Sequence, residues 1–296
     1  MARMAIKIAE TDLSDLDQLL RDESRNAPTL HIDETPYEVL KDQNQKSYFW
    51  AFATPQEFSG HQVVLFHYSG TRSGRTLQAV LPKNYSGLVM CDGFTGYQPS
   101  NLPQAQFGAC LVHVVREFKD IIKAKLHYGG GEARKVVKTA RCAEKELIES
   151  GEYTTPAEKA KLRQERVQPK LDAFYKRIEA IKNPLGKLKK AVNYALKARE
   201  RIYLAMEKGE LPLSNNFVEQ RIRPTTIIRK NCLFSVSIKG AQANALFYSL
   251  VQTAKLNGLD VFKYLNAILE ATRQVEKPDW RAYLPWSEQM QATCKA

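Results

Sequence analysis

Three acidic side chains, far apart in the chain, carry the chemistry this sequence could do. Asp33 stands in Leu30-His31-Ile32-Asp33-Glu34-Thr35-Pro36, and Asp92 follows the apolar run Leu88-Val89-Met90-Cys91. Glu219 lies in Leu213-Ser214-Asn215-Asn216-Phe217-Val218-Glu219-Gln220-Arg221-Ile222-Arg223-Pro224, at the start of what reads as a short helical segment. Cutting or transferring a phosphodiester needs an activated nucleophilic oxygen and a stabilised leaving oxygen, and two divalent ions about 3.5–4 Å apart can supply both. Mg2+ takes hard oxygen ligands, keeps several waters and is held by a few carboxylates plus substrate phosphate, so a small ligand set suffices. Converging acids repel one another unless a cation sits among them. Two aspartates and a glutamate on a basic chain therefore point to metal-assisted phosphodiester chemistry, with Mg2+ as the expected ion and Mn2+ as a substitute.

Each acid also has a structural role open to it. Asp33 precedes the Thr35-Pro36 turn beside Glu34, and strand alternation puts the two acids on opposite faces, so only one of them can enter a site. Asp92-Gly93 is a turn dipeptide in its own right. Glu219 follows Asn216 by three residues, the spacing of a capping box in which the Glu side chain returns to the cap amide. Arg221, Arg223, Arg229 and Lys230 around and beyond Glu219 suit DNA phosphates, or alternatively a solvated surface. Cys110-Leu111-Val112-His113 offers zinc only two ligands, with no second pair to complete a tetrahedral shell. Its expected role is structural, where a strand meets a helix, and His113 could also donate toward a scissile phosphate.

The chain of 296 residues is long enough for one large domain or two modest ones. Its formal charge of +12 favours a polyanionic partner, because each phosphate neutralised by Lys or Arg releases condensed counterions. Nucleic acid is the first candidate. No stretch reaches the ~18 apolar residues of a membrane helix, and Met1-Ala2-Arg3-Met4-Ala5-Ile6-Lys7 lacks a signal-peptide core. A cytoplasmic protein without membrane contact is expected. The cysteines at 91, 110, 142, 232 and 294 form no Cys-x-x-Cys pair and read as reduced thiols.

The acids must be held by rigid elements. Leu13, Leu16, Leu19 and Leu20 recur at helical spacing in 11–25 after a cap-like Thr11 or Asp12. Aromatic and β-branched runs at 29–40, 47–53 and 62–68, joined by short turns, predict an antiparallel meander. A helix ending at Val80, a strand over 86–92 that delivers Asp92, a strand over 106–113 and a helix from Val114 follow. The predicted order is β-β-β-α-β-α-β-α, that of a ribonuclease-H-like mixed sheet in an α/β fold with helices on both faces. From 116 to 210 the chain turns helical, with 24 basic against 14 acidic side chains. Thr155-Pro156 is a helix start, and the whole stretch reads as an insertion. Closing helices are predicted over 239–256 and 260–272. The expected layout is a leader over 1–28, a catalytic domain over 29–115 and 211–275 split by the helical insertion 116–210, and a tail over 276–296.

In order and spacing these segments resemble the transposases of the insertion sequence 66 family, bacterial enzymes of the DDE class. The resemblance is carried by His31-Ile32-Asp33-Glu34-Thr35-Pro36, by Asp92-Gly93-Phe94-Thr95-Gly96-Tyr97, by Cys110-Leu111-Val112-His113 leading into Arg116-Glu117-Phe118, and by Asn215 through Pro224. It continues through Arg229-Lys230-Asn231-Cys232-Leu233-Phe234, Tyr248-Ser249-Leu250 and Thr253 to Leu259. It implies a ribonuclease-H-like catalytic domain in which Asp33, Asp92 and Glu219 form the DDE triad on Mg2+. The implied reaction is cleavage of double-stranded transposon-end DNA and transfer of its 3′-hydroxyl into target DNA, by a homo-oligomer on DNA. A helical insertion between the second aspartate and the glutamate, here 127 residues apart, agrees with it. Family members usually carry a longer N-terminal region with a zinc-binding cysteine segment and a helix-turn-helix, and this chain has almost nothing before residue 28. A truncated or separately encoded catalytic portion is therefore expected. Its rival is an inactive remnant that binds DNA or a full-length partner.

Overall fold

A computed structural model describes residues 2–44, 46–123, 130–232, 234–274 and 277–296, apart from the side chains of 120–123 and 228–232. In chain order the elements are α1 (Ala2–Lys7), a π-helical turn (Ile8–Asp12), α2 (Ser14–Asn26), β1 (Thr29–Pro36), β2 (Tyr48–Ala53), β3 (Val64–Ser69), α3 (Thr76–Val80), β4 (Leu88–Cys91) and β5 (Gln106–Ala109). Then come α4 (Leu111–Lys123), α5 (Gly130–Ser150), α6 (Pro156–Arg166), α7 (Gln168–Glu179), α8 (Gly186–Glu207), α9 (Asn216–Cys232), α10 (Ile238–Leu256), α11 (Val261–Gln274), a 3-10 turn (Trp280–Tyr283) and α12 (Glu288–Thr293). The architecture is mixed α/β, with five strands of mixed direction. Contacts divide it into two compact units, the first made of Met1–Gly87, Gln98–Ala105 and Asn216–Ala296, the second of Leu88–Tyr97 and Gln106–Asn215.

In the first unit β1, β2 and β3 form the expected antiparallel meander, with Asp33 opposite Ala51 and Phe49 opposite Tyr68. Phe49, Ala51 and Ala53 of β2 join Val64, Phe66 and Tyr68 of β3 in a core closed by Val218 and Ile222 of α9 and Ala241 and Ala245 of α10. Alternation turns Trp50 and Phe52 to the other face, where they are also fully buried. The outer edge of β3 meets hydroxyls rather than another strand. Phe66 N donates to Ser249 Oγ at 2.8 Å and Val64 N to Thr253 Oγ1 at 3.1 Å, while Thr253 returns its proton to Val64 O. Asn257 adds a third rung, its Nδ2 donating to Gln62 O at 2.7 Å. Four helical residues rise about 6 Å and two strand residues about 6.8 Å, so groups at 249, 253 and 257 keep step with 66, 64 and 62.

The second unit pairs β4 and β5 in parallel, Leu88 opposite Gln106 and Cys91 opposite Ala109. Behind them α4, α5, α7 and α8 pack through small residues, among them Ala133, Ala140, Ala191, Ala195 and Ala198, with Phe118 edge-on to Phe174. Its largest buried cation is Arg163 on α6. That guanidinium donates to both oxygens of Glu144, and to the carbonyls of Ala205, Gly209 and Leu211 at 2.8–3.2 Å. It thereby ties the end of α8 and the segment after it to α5 and α6. Thr155 caps α6 through a full capping box with Glu158, as the Thr-Pro signal predicts.

Several expectations are corrected. No helix joins β4 to β5: residues 92–105 run as turns, since Gly93, Gly96, Pro99 and Pro103 break any helical run. The strand predicted over 106–113 stops at Ala109 and α4 starts at Leu111, so His113 stands on the helix. The first long helix begins at Ser14 behind the π-helical turn, and neither Thr11 nor Asp12 caps it. The segment carrying Glu219 is not short but a helix of 17 residues that runs through Pro224. Among the described residues no helix is long and apolar enough to cross a membrane.

Candidate active site

Asp33 lies in the middle of β1, half-buried, with its Oδ1 accepting the amide of Glu34 at 2.9 Å. The two neighbouring acids point opposite ways, and the structure separates their roles. The Glu34 side chain is fully covered and paired with Arg72, whereas Asp33 shares the face of buried His31. The His31 ring meets Phe217 at 5.4 Å, and α9 packs over β1 and β2 in this unit.

On α9, Val218 and Ile222 enter the core while Glu219 stays half-buried beside them. The helix begins at Asn216, which puts the cap position on Asn215 and Glu219 one residue beyond the capping-box place. Arg221 lies over the Phe217 ring at 5.1 Å, and burial holds its guanidinium below the usual arginine range. Arg223 is exposed. Arg229 and Lys230 belong to the same helix, but their side chains lie outside the described residues.

In the second unit Asp92 is the first residue past β4, at the carboxyl end of a fully buried strand. Its Oδ1 accepts the amide of Phe94 at 2.8 Å, so the turn expected from Asp92-Gly93 forms with the carboxylate as its tie. Its other oxygen accepts no hydrogen bond among the described residues, and such a hard donor suits Mg2+. Cys110 and His113 stand one helical turn apart at the end of β5. The buried Cys110 Sγ accepts the amide of Asn215 at 3.2 Å, and Leu111 N donates to Leu213 O at 2.9 Å. The thiol thus anchors the segment that leads into α9. His113 Nε2 lies 3.1 Å from Arg116 Nη1. The cysteines at 91, 110, 142 and 294 are free thiols, as expected; the Cys232 side chain lies outside the described residues.

Sequence reasoning missed Tyr194 on α8. Its ring tip lies against Gly93, and burial followed by the negative charge of Asp92 pushes its phenol well above the usual tyrosine range. Nothing in Ala191-Val192-Asn193-Tyr194-Ala195 separates this tyrosine from other half-buried aromatics of a helix.

The family model described as "Transposase IS66 family" matches residues 1–243, a span that includes all three acids. Among curated relatives from Sinorhizobium fredii (strain NBRC 101917 / NGR234), "Uncharacterized protein y4jD" is 28% identical over 263 residues, 83% of this chain and 50% of its own length. "Uncharacterized protein y4qI" is 28% identical over 82% of this chain and 47% of its own. "Uncharacterized protein y4hP" is 24% identical over 88% and 50%. The chain spans about half the length of these curated relatives.

Proposed function

We propose that this chain, which belongs to the IS66 transposase family, is the metal-dependent catalytic region of a DDE-class transposase built on a ribonuclease-H-like sheet. The observation that carries the reading is the family match across Asp33, Asp92 and Glu219. Supporting it are the meander followed by a parallel pair, and the place of Asp92 at the carboxyl end of a buried strand, where open α/β sheets bind ligands.

In this reading Asp33, Asp92 and Glu219 hold two Mg2+ ions, which when bound would activate the attacking oxygen and offset charge on the leaving one. Asp92, tied through one oxygen to Phe94 N, keeps its other oxygen oriented without an entropic cost at the moment of binding. Arg223, Arg229 and Lys230 neutralise backbone phosphates, and Arg221, fixed over Phe217, holds its fork in one orientation. In cleavage a water oxygen bonds to phosphorus, the bond to the 3′-oxygen breaks, and that oxygen takes a proton. In transfer the freed 3′-hydroxyl bonds to a target phosphorus and displaces the target's own 3′-oxygen. Double-stranded transposon ends and target DNA are the partners, engaged by a homo-oligomer.

Asp92→Asn in the full chain tests this. Mn2+-dependent cleavage and joining of a transposon-end duplex should fall by more than the ~10–100-fold that loss of a supporting residue costs, while salt-sensitive DNA binding persists. Wild-type rates in the variant would remove Asp92 from the triad. Binding without any cleavage by the parent chain would favour the inactive remnant.

A further inference from the structure

Gly93 follows Asp92 directly, and the backbone does not explain it. Its φ lies outside the left-handed region that Gly151, Gly186 and Gly258 occupy. Space explains it instead. A Cβ at 93 would lie 2.4 Å from Tyr194 Cε2, 2.8 Å from its hydroxyl and 2.9 Å from Cζ, all closer than real Cβ contacts come. The ring therefore rests on the bare backbone of the turn that ties Asp92 to Phe94 N.

Tyr194 reaches this place from α8, whose neighbours Ala191 and Ala195 sit in the core of the second unit. A ring packed on the bare backbone of the turn restrains the neighbouring carboxylate by steric contact alone.

We propose that Tyr194 is a positioning residue for Asp92: its ring tip clamps the Asp92-Gly93 turn, so that the helical stretch after β5 sets the orientation of this metal-binding carboxylate. This rests on the reading of Asp92 as a metal ligand. Residues that orient a ligand typically contribute 10–100-fold in metal affinity, without touching the metal themselves.

Calorimetric titration of Mn2+ into the full 296-residue chain without DNA tests the inference. Tyr194→Ala and Gly93→Ala should each weaken Mn2+ binding about 10–100-fold, the first by removing the clamp and the second by pushing it away. Tyr194→Phe should recover most of the affinity that Tyr194→Ala loses. Because both changes act through one contact, the Gly93→Ala/Tyr194→Ala pair should be no weaker than either single change. Gly93 is exposed, so Gly93→Ala probes the contact even where Tyr194→Ala folds poorly. Unchanged Mn2+ affinity in Tyr194→Ala or Gly93→Ala, or additive losses in the pair, would overturn the clamp. Asp92→Asn separates the two layers: if it binds Mn2+ as the parent does, the metal reading of Asp92 fails and the clamp with it. If Asp92→Asn loses binding while Tyr194→Ala keeps it, only the clamp fails.

Discussion

The first unit closes its sheet with neutral groups, whereas the second unit closes its helices around a charge. Along β3, Ser249 and Thr253 of α10 and Asn257 just past its end present hydroxyls and an amide to the strand's outer edge and satisfy it rung by rung. In the second unit a single guanidinium, Arg163, gathers three backbone carbonyls and one carboxylate. Distributed neutral bonds each contribute about 1 kcal/mol net, so no one of them is indispensable. A buried ion pair returns little net stability, yet breaking it strands a charge in low dielectric. The two units should therefore fail differently: the first by increments, the second at one residue.

Arg163→Ala puts that contrast under the greatest stress. It leaves Glu144 and the carbonyls of Ala205, Gly209 and Leu211 without their donor, and a loss of about 3–5 kcal/mol is expected in urea unfolding. Replacing both partners, as Arg163→Met with Glu144→Leu, should recover only part of it, because the carbonyls remain orphaned. Full recovery would mean that the carbonyl bonds count for little.

Acid should strike the first unit. His67 on β3 faces a cavity of ≈ 270 Å³ lined by Glu10, Asp17 and Arg21, and burial, with Arg21 nearby, pushes its imidazole down to about 4. An unfolded histidine titrates at 6.5. Between those values the unfolded chain binds the extra proton, so stability falls as pH drops from about 6.5 to about 4 and levels off below. The span corresponds to about 3 kcal/mol. His67→Gln should flatten that slope in urea midpoints at pH 7 and pH 4.5, and an unaltered slope would assign the acid sensitivity elsewhere.

Ser249→Ala leaves the buried Phe66 amide unpaired and should cost about 1–3 kcal/mol, less than Arg163→Ala. An equal loss would erase the distinction between the two closures. Thr155→Ala removes the α6 cap at the surface of the second unit and should lower stability by about 0.5–2 kcal/mol.

Much of the first unit was legible in the sequence, because its strands are short aromatic and β-branched runs with turns between them. Their ends slipped by one to four residues: the run from 29 stops at Pro36, and β3 begins at Val64 rather than 62. Between β4 and β5 the expected element order places a helix, yet the glycines and prolines of 92–105 allow the connection to be made of turns. The buried Arg163 was unreadable, since Lys161-Leu162-Arg163-Gln164-Glu165-Arg166 has the composition of a solvated helix face. At the candidate site it is the family resemblance that singles out the three acids, since the local sequence of each also suits a turn or a helix start. Tyr194 was not, because its partner Gly93 is 101 positions away and its spacing in α8 is that of an ordinary core-edge residue.

The hydroxyl ladder also dictates an order of assembly. Phe66 and Val64 find their edge partners 183 and 189 residues further along the chain. At synthesis rates of about 5–20 residues per second, β3 emerges roughly 10–40 s before Ser249 exists to cover it. All of the second unit, through Asn215, is made within that interval. The meander of the nascent chain thus spends that time with an open flank able to pair with other strands. A chain stopped before Ile238 would keep the flank open for good and be prone to aggregate.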